Sequence, residues 1–151
     1  METRIRTADE RREEIAAAAA SMGVDEDYIS TLVDTFYERV RAHPLLGPVF
    51  DEAISDWGPH LAKMKDFWAS VALNAGRYSG KPVPKHKALT SVHPWHFDIW
   101  LGLFRATLTD TAPSPEAAAY FMERAERIAE SLKLAMFGLP EIGAPGGRRQ
   151  S

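Results

Sequence analysis

Cysteine is absent from this chain of 151 residues. Disulfide bonds and thiolate sites for zinc or iron–sulfur clusters are therefore excluded, which leaves histidine, carboxylates, methionine and tyrosine as possible metal ligands. The chain also lacks a large excess of charge of either sign, since its formal net charge is -3 at pH 7. This balance gives no electrostatic reason to expect binding to nucleic acid or to an anionic membrane surface.

Long hydrophobic runs are missing too, and no apolar run approaches the ~20 residues that a membrane helix needs. The segment 1–22 contains a run of alanines, but Glu13 and Glu14 precede it where a secretory signal would carry basic residues and then leucine or valine. We interpret 1–22 as an N-terminal extension, helical or disordered, with little to bury. A cytoplasmic location is the expectation.

Hydrophobic residues make up 45% and charged residues 26% of the chain, which is the composition of a globular domain. Apolar residues recur at steps of three and four, whereas no segment alternates with a period of two, so the pattern predicts an all-α fold with about five substantial helices. Pro44, Pro94 and Pro115 mark helix boundaries. The Gly/Pro-rich segment 139–151 is predicted to be a disordered tail.

The strongest chemical signal lies between Trp57 and His86. His60 falls on the same helical face as Trp57 and Met64, because steps of three and four bring residues into line. A titratable ring on a buried helical face needs a partner. A second histidine, His86, follows a proline-rich crossing loop. Tyr37 lies on the apolar stripe of an earlier helix, so its hydroxyl is also expected to point inward.

The other histidines give weaker signals. His43 ends a helix, where a surface position is the simplest interpretation. His93 and His96 have a spacing seen in zinc sites, but Pro94 separates them and no matching carboxylate follows. The sequence has no Glu-x-x-His pair of the di-iron type, no Ser/His/Asp signature and no glycine-rich phosphate loop. From spacing alone, each histidine and aromatic residue is as well explained by the core or the surface.

The chain contains, in this order, the segments FYERVR, HPLLGPVF, WGPHLAKMKDFW, YSGKPVPKH and HFDIWLGLF. Together they resemble the truncated haemoglobins, and most of all their third group. The resemblance extends over residues 24–138 and implies a truncated globin domain at 23–138. The implied fold is a shortened globin fold, a two-over-two helical sandwich around haem b, whose iron is carried by a proximal histidine.

The resemblance also implies roles for particular residues, without assigning a catalytic one. His86 matches the proximal histidine and is the implied metal ligand. The implied cofactor-binding and ligand-stabilising residues on the opposite, distal side are the hydrogen-bonding side chains Tyr37, His60 and Trp100 and the apolar side chains Phe50, Met64 and Phe67.

A polar distal pocket implies binding of O₂, NO and CO, with tight retention of O₂. Tight retention fits redox chemistry such as NO dioxygenation better than oxygen transport, and an unidentified reductase would then recycle ferric iron. Two alternatives stay open: a peroxidase-like haem enzyme with His60 as acid–base, and a cofactor-free helical interaction domain in which every pocket residue is core. Whether the protein is an enzyme or a binding protein also stays open.

Overall fold

The computed structural model describes residues 7–73 and 92–138, and within these ranges all regular structure is α-helical. The helices are α1 (Ala8–Ser21), α2 (Glu26–Ala42), α3 (Gly47–Ala53), α4 (Trp57–Leu73), α5 (Pro94–Thr111) and α6 (Pro115–Phe137). The predicted all-α fold is confirmed. Across the described ranges, none of these helices combines the length and apolar character that a membrane span requires.

Local sequence explains where the helices begin. The carboxylate of Asp25 accepts a hydrogen bond from the backbone N–H of Tyr28 at 2.8 Å and caps α2. The hydroxyl of Ser114 accepts from the N–H of Ala117 at 3.1 Å and caps α6. Pro115 takes the first position of α6, where a missing N–H costs no helical hydrogen bond.

The helices form two packed pairs. α2 packs against α4, α5 packs against α6, and α2 crosses α5, which joins the pairs into the predicted two-over-two sandwich. α1 is added against α4, and α3 against α2. The core between the pairs includes the buried side chains Ile29, Leu32, Phe36, Trp68, Phe104 and Phe121.

The segment after α2 differs from the sequence pattern. The pattern predicts a turn at Gly47 and Pro48, whereas the structure has the seven-residue helix α3, in which the N–H of Ile54 donates to the carbonyl of Phe50 at 2.8 Å. A Cβ at position 47 would lie 2.6 Å from the backbone oxygen of Arg41, so only glycine allows this close approach of α3 to α2.

The N-terminal helix is attached to the rest of the fold more firmly than its composition suggests. Ala19 is completely buried, and the hydroxyl of Ser114 donates to the carbonyl of Met22 at 2.9 Å. Gly23 ends the segment with a positive φ of 86°, next to Pro113. Small side chains thus let α1 approach α4 closely, although few large apolar residues are buried.

Candidate functional site

Four aromatic side chains meet where α2, α3 and α4 converge. The ring of Tyr37 lies 6.0 Å from Phe50, 5.9 Å from Trp57 and 5.5 Å from His60, measured between centroids. Trp57 and His60 are themselves 5.5 Å apart. We call these four residues the Tyr37 ring group. Most of its pairs are edge-to-face, the arrangement that the charge distribution of aromatic rings favours.

Tyr37 is the buried member of this group. Its side chain is 5% exposed, because it lies on the apolar stripe with which α2 faces α4. Burial raises the pKa of Tyr37 well above its usual value, since desolvation penalises the phenolate. Tyr37 is therefore a neutral phenol across the physiological range of pH and keeps an O–H that can donate a hydrogen bond.

His60 is held between two rings. It is half-buried, its Nε2 atom is buried, and the rings of Tyr37 and Trp57 stand at 90° and 89° to it. Pro59 immediately precedes it, yet α4 already begins at Trp57, so Pro59 falls in the first turn, where helical N–H groups have no intrahelical partner. Pro59 therefore does not disrupt the start of α4, and the His60 ring contacts Tyr37.

Trp100 lies one ring away from this group. It stacks on Phe104 with a centroid separation of 5.4 Å and an interplanar angle of 3°. Phe36 makes edge-to-face contacts with both Trp100 and Tyr37, at centroid separations of 5.3 and 5.1 Å. The structure thus brings Tyr37, Phe50 and His60 together directly and connects Trp100 to them through Phe36.

A row of half-buried apolar side chains continues from His60 along α4. Its members are Leu61, Met64, Phe67 and Val71, all packed against the main core. Phe67 makes an edge-to-face contact with Trp68 at 5.5 Å. Met64 and Phe67, both predicted site residues, therefore belong to a partly accessible apolar row on α4.

Trp57 is a member of the site that was not among the predicted site residues, although the helical face on which it lies was predicted. Its indole N–H donates to the carboxylate of Asp51 at 3.1 Å, and the guanidinium of Arg41 lies 4.5 Å over its ring. The three-residue step from Trp57 to His60 was the one feature of the sequence that could have indicated a contact between these two side chains. No sequence pattern indicated the contacts of Asp51 and Arg41 with Trp57, because the three residues lie on three different helices.

Two of the remaining histidines, His43 and His96, accept hydrogen bonds from nearby backbone N–H groups. Nδ1 of His43 accepts from the N–H of Leu45 at 3.1 Å, at the end of α2. Nδ1 of His96 accepts from the N–H of His93 at 2.9 Å, and burial lowers the pKa of His96. Within residues 7–73 and 92–138, no three histidine or carboxylate side chains come close enough to hold a metal ion. His86 lies outside the described residues.

Comparison with known proteins identifies the fold and the family. No protein-family model matches the chain. It is 34% identical over 118 residues to a group 3 truncated haemoglobin of Campylobacter jejuni, covering 76% of this chain and 92% of that protein. It is 29% identical over 113 residues to a group 2 truncated haemoglobin of Bacillus subtilis, covering 72% and 83%.

The structure gives the same result. It matches the crystal structure of the group III truncated haemoglobin from Campylobacter jejuni with a TM-score of 0.71 over 76% of this chain and 92% of that one, at 34% identity. The chain therefore belongs to the truncated haemoglobins, a family of globin-type haem proteins, and it resembles their third group.

Proposed function

We propose that this protein binds haem b through His86 as the proximal iron ligand, and that it binds O₂, NO and CO on the opposite side of the haem. Residues 23–138 are the haem-binding unit in this proposal. The role of His86 rests on the match of YSGKPVPKH to the segment that carries the proximal histidine in the family. The other roles are supported by the geometry of the described residues.

The apolar surface along α4 fits such a cofactor. A haem ring needs a broad apolar surface, and the half-buried row that contains Met64 and Phe67 offers one. Phe50 is a further half-buried apolar side chain, next to Tyr37. Because the porphyrin would supply the other iron ligands, the protein would need to contribute only a histidine, and His86 would be that residue. When bound, haem supplies an iron that takes up diatomic gases and shifts electron density onto them.

The contact between Tyr37 and His60 is the observation that carries the proposal. It puts a neutral phenol and an imidazole, both able to donate hydrogen bonds, next to each other within an apolar site. Trp100 contributes an indole N–H from the neighbouring helix α5. Each donor that reaches a ligand with partial negative charge contributes about 1–3 kcal/mol, and ~1.4 kcal/mol corresponds to tenfold in affinity.

Several donors together would retain O₂ tightly. Slow release suits chemistry on the bound ligand, such as NO dioxygenation, and suits oxygen delivery poorly. Turnover in such a reaction requires a reductase to return the iron to the ferrous state. We therefore propose that the protein retains O₂ at its haem and uses it in redox chemistry with NO.

Visible spectra of the purified protein test the haem and its ligand. We expect a strong Soret band that moves when CO is added to the reduced protein, and weakened or lost haem binding in His86→Ala. His93→Ala, at an exposed histidine of the same chain, is the matched control and should retain the wild-type spectrum. A chain that takes up no haem after reconstitution would instead be a cofactor-free helical domain. Unchanged haem binding in His86→Ala would move the iron to another histidine.

A further inference from the structure

Trp57 lies between the protein surface and two other members of the Tyr37 ring group, Tyr37 and His60. On its inner side it contacts Tyr37 and His60, at 5.9 and 5.5 Å between ring centroids. On its outer side its N–H donates to Asp51, and Arg41 lies over its ring. Arg41 and Asp51 also face each other, with Nε and Oδ1 3.9 Å apart. One side chain thus links a polar surface cluster to the proposed ligand-stabilising residues.

We propose that Trp57 is a positioning residue that fixes the orientation of the His60 ring, and that Asp51 and Arg41 hold Trp57 in place. The inference rests on the proposed function, because it assigns His60 its purpose. It adds to that function a control over the site by two exposed charged side chains that are not members of the Tyr37 ring group.

The start of α4 explains why His60 needs this support. Trp57 and His60 lie in the first turn of this helix, where no preceding helical turn is available for their side chains to pack against. Two perpendicular rings confine the imidazole, and one of them, Tyr37, is itself fixed by burial in the core. Trp57 is only half-buried, so its orientation depends on its hydrogen bond and its cation–π contact.

The outer contacts are suited to orienting Trp57 and add little to global stability. The side chains of Arg41 and Asp51 are 50% and 55% exposed, and exposed ion pairs are screened by solvent. Asp51 gives the indole its hydrogen-bond acceptor, which sets the direction of the ring. A second exposed pair, Lys65 with Asp34 at 3.0 Å, connects α2 to α4 but involves no ring of this group. It therefore provides a matched control.

The test compares Asp51→Ala and Trp57→Leu with the control Asp34→Ala. The primary measurement is the position of the His60 ring resonances in ¹H–¹³C spectra of the full chain as purified, assigned by their loss in His60→Gln. We expect Asp51→Ala to shift these resonances, although it leaves every member of the Tyr37 ring group in place. Trp57→Leu gives the reference for complete loss of the Trp57 ring, because it also removes the ring current of the indole. Asp34→Ala should leave them in place. Unshifted resonances in Asp51→Ala, or an equal shift in Asp34→Ala, would overturn the inference.

A second measurement separates this inference from the proposed function. In the reduced CO complex, the C–O stretching band reports the hydrogen bonds that reach the ligand, and we expect Asp51→Ala to shift or split it. If the wild-type chain takes up no haem, this band is absent and the proposed function fails. The His60 resonances still decide the role of Trp57 in that case, because they do not require haem.

Discussion

Two groups of aromatic rings in this protein use the same residue types in opposite ways. In the first, which we call the core ring stack, Trp68 and Trp100 lie against Phe104 with interplanar angles of 18° and 3°. In the second, the Tyr37 ring group, His60 stands at about a right angle to both of its neighbours. Offset-stacked and edge-to-face contacts are both favoured arrangements of aromatic rings, so the two groups differ in geometry and not in residue type.

Burial follows the same division for most of these side chains, the exceptions being the half-buried Trp100 in the stack and the buried Tyr37 in its ring group. Trp68 and Phe104 are 3% and 1% exposed, whereas Phe50, Trp57 and His60 are only half-buried. The buried pair of Trp68 and Phe104 therefore contributes mainly to the free energy of folding, whereas the Tyr37 ring group and the half-buried Trp100 contribute mainly to the proposed binding of ligands. Substitutions in the two groups should change different measurements.

The largest expected effect is on stability, for Phe104→Ala. This residue contacts Phe36, Trp68 and Trp100, and its loss leaves a cavity at the centre of the stack. We expect the free energy of unfolding, measured with urea, to fall by about 3–5 kcal/mol. Phe137→Ala, at a side chain that is 42% exposed, is the control and should have a much smaller effect. A loss below about 1 kcal/mol for Phe104→Ala would contradict the division of roles.

The next largest effect is on ligand release, for Tyr37→Phe. The substitution keeps the buried ring but removes the hydroxyl, so stability should change little while the O₂ dissociation rate rises on the order of tenfold. Trp100→Phe should act in the same direction. Tyr28→Phe, which removes a hydroxyl bonded to Thr111 outside the site, is the control. If neither Tyr37→Phe nor Trp100→Phe changed the dissociation rate, tight retention by these donors would be refuted.

The smallest expected effect is on the pH dependence of stability. It concerns His96, an imidazole that lies outside the Tyr37 ring group to which His60 belongs. Nδ1 of His96 accepts a backbone hydrogen bond, so the neutral ring is required, and burial lowers its pKa in the folded state. The unfolded chain therefore binds the proton more readily, and stability should decline as the pH falls below about 6.5. His96→Gln keeps an acceptor at the start of α5 without a titrating group.

We accordingly expect the free energy of unfolding to decline less steeply with falling pH in His96→Gln than in wild type. Urea unfolding at a series of pH values, from pH 7 down to the lowest pH at which the protein is still folded, measures this decline. His93→Gln, at the exposed neighbour, is the control and should retain most of the pH dependence. Equal slopes in wild type and His96→Gln would show that protonation of this ring is not coupled to folding.

Much of the architecture is predictable from short-range patterns. The structure contains the apolar stripe of α2, its cap at Asp25 and the cap of α6 at Ser114, and each of these features is encoded within a few residues. The same periodicity puts Tyr37 on the inner face of α2. The proposed roles of Tyr37, His60 and Trp100 came from a resemblance over the whole chain, because spacing alone also permits ordinary core positions.

The features that could not be predicted depend on contacts between distant segments. Helix α3 exists because Gly47 allows its backbone to approach Arg41, and Ala19 is buried because α1 reaches α4. The bond from Trp57 to Asp51 likewise joins two helices whose relative orientation no local pattern specifies.

Periodicity and capping are properties of neighbouring residues, so the sequence alone was sufficient to establish the helices and their inner faces. Which rings touch, and at what angle, depends on how the helix pairs pack against each other. Only the tertiary structure could therefore show that Trp57 lies between His60 and two surface charges.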